Sequence, residues 1–99
     1  MMQKVYILYI LECQDGRLYT GYTTDLKRRY LEHVAGSHKS KFTRGNPPKK
    51  IAQSWQFSCT LSAILKLEYY VKSLTRAQKL DLIIAPEKLV LLSSQSKDN

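Results

Sequence analysis

The stretch Lys4-Val5-Tyr6-Ile7-Leu8-Tyr9-Ile10-Leu11-Glu12-Cys13 decides the fold. From Val5 to Leu11 every residue is apolar or aromatic, at both parities. A strand with one wet face alternates, whereas a run apolar at both parities marks a central strand covered on both faces. The run is far shorter than the roughly 18–20 apolar residues of a membrane span. It also lacks the small-residue cleavage site of a secretory leader, because Glu12, Cys13, Gln14 and Asp15 follow it. The expectation is a reduced, cytoplasmic protein with no membrane partner.

Working outward, Gln14-Asp15-Gly16 is a turn signal, and Arg17-Leu18-Tyr19-Thr20-Gly21-Tyr22 reads as the returning strand of a hairpin. Two registers are open. A three-residue loop with Gly16 left-handed pairs Cys13 with Arg17, Leu11 with Tyr19 and Tyr9 with Gly21. Tyr9 and Tyr19 then share a face as diagonal neighbours, with open space over Tyr9 at Gly21. A two-residue Asp15-Gly16 turn slips the register by one and puts the two tyrosines on opposite faces.

Beyond the hairpin, Thr24 or Asp25 can cap a helix from Leu26 to Ala35 that Gly36 ends. Residues 36–50 read as a polar loop, 51–58 as a third strand, and a second helix runs from Thr60 or Ser62 to Leu74. Thr75 caps a third helix from Arg76 to Ala85, and 87–92 is a weak helical or extended piece. The order β-β-α-β-α-α gives an α+β domain over 1–86, with 87–99 a C-terminal extension expected to be partly disordered.

The 99 residues allow one domain and carry 16 Lys and Arg against 8 Asp and Glu, a net charge of +8. Most of that excess lies between Lys27 and Lys50. There, Lys27, Arg28, Arg29, Lys39, Lys41, Arg44, Lys49 and Lys50 face the single acid Glu32, a net +7. Such concentration in one helix and the following loop fits a phosphate-tracking surface, to which Thr43, Ser40 and His38 add neutral hydrogen-bonding groups. Cys13 and Cys59 form no CxxC, which excludes zinc knuckles and thioredoxin-like redox motifs.

Two helices carry charge where apolar residues belong. The first has an inward stripe of Leu26, Arg29, Tyr30, His33 and Val34, so Arg29 and His33 project together at i,i+4. They are either an arginine stem over the core edge beside a satisfied histidine, or working groups in a cleft. The second has Ile64, Leu67, Glu68, Val71 and Leu74, with Glu68 at the centre. A carboxylate there needs a partner, and Arg29 or a metal ion would serve.

Leu8-Tyr9-Ile10, Tyr19-Thr20-Gly21, the segment from Asp25 to His33, and Glu68 together resemble the GIY-YIG nuclease domain. The resemblance runs from about residue 5 to 85. It is closest to the small stand-alone bacterial members, echoed by Leu11 to Gly16, Lys41 to Gly45 and Glu68 to Thr75. Ile7-Leu8 stands before Tyr9 where the motif has glycine and isoleucine, and Val5-Tyr6-Ile7 is a competing match. The resemblance implies a three-stranded antiparallel sheet flanked by helices and one-metal hydrolysis of a DNA phosphodiester, with no small-molecule cofactor. It implies Tyr9 or Tyr19 orienting or deprotonating the water, Arg29 on the phosphate, His33 assisting and Glu68 holding Mg²⁺ or another divalent cation. A tyrosine needs cations nearby to depress its pKa for such work, and Arg29, a bound Mg²⁺ and the basic loop are candidates. Lys27, Arg28, Lys39, Lys41, Thr43, Arg44 and Lys49 are the candidate nucleic-acid contacts. The alternative is a nucleic-acid-binding module that keeps the fold without turnover.

Overall fold

A computed structural model of the chain describes residues 3–36 and 45–89. Strand β1 (Lys4–Cys13) lies between β2 (Leu18–Thr23) and β3 (Pro48–Cys59) in one antiparallel sheet of order β2-β1-β3. Helix α1 (Leu26–Ala35) follows β2, and α2 (Leu61–Lys72) and α3 (Arg76–Ile84) follow β3. The central position of β1 explains its continuous apolar run: Leu8, Tyr9, Ile10 and Leu11 are all buried, whichever face they take.

The hairpin adopts the three-residue turn. Gly16 has φ +88°, the left-handed region that glycine enters without a Cβ penalty. Cys13 N–H donates to the Arg17 carbonyl at 2.9 Å, and Tyr9 pairs with Gly21 and Leu11 with Tyr19. The turn is pinned from two sides. Asn46 donates to the Asp15 carboxylate at 2.9 Å, and Arg76 donates to the Gly16 carbonyl at 2.7 Å.

Helix ends follow local chemistry. The Asp25 side chain accepts from Arg28 N–H, and Gly36 closes α1 at φ 68°. Thr60 caps α2, and Thr75 with Gln78 forms a reciprocal capping box on α3.

The strand parity sorts two packed layers. On one face Tyr6, Leu8 and Ile10 of β1 meet Trp55 of β3, Ile64 and Val71 of α2, Leu82 of α3 and Leu89. Trp55 Nε1 donates to the Pro86 carbonyl at 2.8 Å, tying β3 to the end of α3. Leu89 is fully buried, so the packed body continues past Pro86. On the other face lie Tyr9, Leu11 and Cys13, with Tyr19 and Gly21 from β2, and His33 of α1 reaches down onto Tyr9.

Three expectations need correction. The third strand begins at Pro48, inside the expected loop. Register shifts between Ile10 and Leu11 and between Glu12 and Cys13 let the bulged edge strand absorb a proline at its first residue. Val34, placed on the buried stripe of α1, is 50 % exposed, because that helix turns only His33 fully inward. The space over Tyr9 at Gly21 is not open, because the Tyr9 ring itself fills it. A Cβ at Gly21 would sit 2.6 Å from the Tyr9 hydroxyl oxygen.

Candidate active site

The missing side chain at Gly21 lets the Tyr9 ring lie flat across β2, and Tyr9 is 1 % exposed. Its hydroxyl lies 3.0 Å from His33 Nε2. It also accepts a hydrogen bond from the Arg29 guanidinium. An arginine only donates, so the Tyr9 oxygen is the acceptor toward Arg29, while the imidazole tautomer sets which partner donates across the Tyr9–His33 contact. Tyr19 completes the cluster. Its ring centroid is 5.1 Å from that of His33, edge-on, and 6.3 Å from that of Tyr9.

The electrostatics of this cluster are dominated by burial. Tyr9 is pushed up to about 12, chiefly by desolvation, with Arg29 opposing and Glu68 adding a small push upward. Arg29 by itself therefore does not depress Tyr9, because loss of water outweighs it. His33 is pushed down to about 4, first by burial and then by the positive charge of Arg29. At neutral pH both groups are uncharged, as a buried tyrosine–histidine hydrogen bond requires. Burial also works against the Arg29 cation, but hydrogen bonds from it to Glu32 and Tyr9 more than compensate.

Arg29 ion-pairs with Glu32 at 2.9 Å, one helical turn along α1. Glu68 pairs with Lys72 at 3.4 Å along α2. Glu32, the lone acid within the basic run, is the partner that the stripe pattern missed; its i,i+3 spacing from Arg29 was the available signal. The Arg29 and Glu68 side chains are 17 % and 16 % exposed, and Glu68 is near enough to Tyr9 to act on it electrostatically. Tyr19 is half-buried. Tyr6, the competing motif tyrosine, is on the opposite face in the apolar core, edge-on to Tyr22.

Lys27, Arg28 and Lys49 are exposed. Lys39, Lys41, Thr43 and Arg44 lie outside the described residues. Asn46, which the sequence did not flag, is buried and holds the chain entering β3 against the hairpin turn through Asp15. Among the described residues no three of His, Cys, Asp and Glu gather into a cage for a metal ion. A single half-buried carboxylate instead suits an ion of the Mg²⁺ type, which takes one or two carboxylates and fills its shell with waters and substrate phosphate. Glu68 has that character.

Residues 5–81 match the family described as the GIY-YIG catalytic domain. The chain is 46 % identical over 72 residues to a UPF0213 protein of Halobacterium salinarum, covering 73 % of this chain and 91 % of that one. It is 45 % identical over 76 residues to the UPF0213 protein BH0048 of Halalkalibacterium halodurans, covering 77 % of this chain and 79 % of that one. The solution NMR structure of UPF0213 protein BH0048, from Bacillus halodurans, superposes with a TM-score of 0.52 at 41 % identity, covering 82 % of this chain and 84 % of that one.

Proposed function

The chain belongs to the GIY-YIG catalytic domain family, whose activity is nuclease-type, and from that premise we propose that it hydrolyses DNA phosphodiesters as a Mg²⁺-dependent endonuclease. The observation that carries the reading is a half-buried cation, Arg29, held by a fully buried tyrosine–histidine pair, with Tyr19 beside it and Glu68 close enough to act on Tyr9. A core with only a structural duty does not need two charges at its rim.

The roles follow from accessibility. Tyr9 is walled in by Gly21, His33 and Arg29, so it positions Arg29 and does not meet substrate. His33 fixes Tyr9 from behind and is likewise a positioning residue. Tyr19, half-buried at the rim, holds the attacking water at its hydroxyl. Arg29 donates to a non-bridging phosphate oxygen as negative charge grows there. Glu68 would hold the cation, which when bound polarises the phosphate and offsets charge on the leaving oxygen. Exposed Lys27, Arg28 and Lys49 carry the flanking phosphates.

Glu68→Gln tests this. The change is nearly isosteric, and an i,i+4 helix pair such as Glu68–Lys72 is worth only about 0.3–0.5 kcal/mol, so the fold should survive. Mg²⁺-dependent nicking should vanish while DNA binding persists or tightens. A wild-type protein that binds DNA but neither binds Mg²⁺ nor nicks any DNA offered would support the non-catalytic module instead.

A further inference from the structure

Helix α2 carries an apolar surface that the core does not use. Leu61, Leu65 and Tyr69 are 50 %, 42 % and 76 % exposed. They recur at i, i+4 and i+8, and together with Ser62 and Lys66 they line one shallow groove. At 3.6 residues per turn, Leu61, Lys72, Leu65 and Tyr69 all fall within about 100° of Glu68, on the side turned away from Leu67. The shelf is therefore continuous with the carboxylate assigned to the candidate site.

From this we propose that the shelf is a stacking platform for an unpaired nucleotide, so that the substrate is single-stranded or locally unpaired nucleic acid. This rests on the nuclease reading of the Glu68 side of α2. A base laid on the Tyr69 ring, with Leu65 and Leu61 beneath the sugar edge, buries apolar surface whatever its identity, since every base has a π-face. Lys66 lines the shelf and supplies charge for its phosphates, while Lys72 beside it is paired with Glu68. The same lysines argue against a second copy as occupant, because two such helices packed face to face would bring like charges together with only Glu68 to answer them. A fully paired duplex buries its base faces internally and offers the ring nothing to stack on.

The test is equilibrium binding of a labelled single-stranded oligonucleotide and of its blunt duplex, in EDTA so that nothing is cleaved. Tyr69→Ala should weaken single-strand binding about tenfold or more and duplex binding by less than about twofold, while Tyr69→Phe keeps the wild-type affinity. Because Tyr69 is exposed, circular dichroism should show all variants folded. An unchanged single-strand affinity, or an equal loss on both nucleic acids, overturns the proposal. So does sedimentation showing that Tyr69→Ala dissociates a dimer, which would make a second copy the occupant. Glu68→Gln and wild-type cleavage are measured alongside. Glu68-dependent cleavage with a silent Tyr69→Ala defeats the shelf alone, whereas wild-type protein that neither binds nor cleaves defeats the nuclease reading with it.

Discussion

The Tyr9 hydroxyl and His33 Nε2 share a hydrogen bond of 3.0 Å, joining the central strand to the first helix inside a site neither element builds alone. The bond bridges 24 positions of sequence, and the same hydroxyl meets Arg29. Tyr9→Phe leaves the imidazole nitrogen and one guanidinium donor short of a partner. It should cost roughly 1–3 kcal/mol in denaturant unfolding and also reduce cleavage. Tyr19→Phe should leave stability nearly unchanged and cut cleavage by about 10²-fold or more, the usual scale for losing a proton-handling group. Tyr6→Phe, on the core face, should leave the rate near wild type.

The buried imidazole makes stability pH-dependent. In the unfolded chain His33 titrates near 6.5, while in the fold it is held down to about 4. Between those values the unfolded state binds more protons, so stability is full above about pH 6.5 and is lost as pH falls toward 4. The loss should be on the order of 3 kcal/mol by urea unfolding. His33→Gln should flatten that slope, and a slope that persists unchanged would assign the effect to other groups.

Gly21→Ala places a methyl 2.6 Å from the Tyr9 hydroxyl oxygen and 2.7 Å from Cζ. The ring is enclosed and cannot yield without breaking its bonds to His33 and Arg29. Overpacking of this kind costs about 1–3 kcal/mol, and cleavage should fall with it. Gly45→Ala, with open space at its Cβ, is the matched control and should be nearly neutral.

The basic face should show in salt dependence. Duplex binding is expected to be largely sequence-independent, and contacts to ~4–6 phosphates give a log–log salt slope of roughly −4 to −5. Replacing Lys27 and Arg28 together by Ala should flatten the slope by about 2 units if each meets a phosphate. An unchanged slope would remove the exposed face of α1 from the interface.

Local chemistry settled much of this protein in the sequence itself. The run from Val5 to Leu11 marked the buried central strand, because only a strand covered on both faces tolerates apolar residues at both parities. Gly36 and Thr75 marked helix ends outright, and Asp25 and Thr60 were each one of two caps on offer, because caps act within four residues. What lay beyond reach depended on contacts between elements. Ion-pair partners were one such case, since the stripe pattern offered Arg29 and Glu68 to each other while the folded helices gave them Glu32 and Lys72. The start of β3 was another, because bulges opposite β1 drew Pro48 into pairing where composition read as loop. The division between the tyrosines was decided last. Sequence left open whether Tyr9 and Tyr19 share a face and gave no reason to rank them; the three-residue turn put them on one face. Only the seating of the Tyr9 ring over Gly21, with His33 and Arg29 at its hydroxyl, buried one and left the other at the rim, since burial is a property of what the rest of the chain brings to a residue.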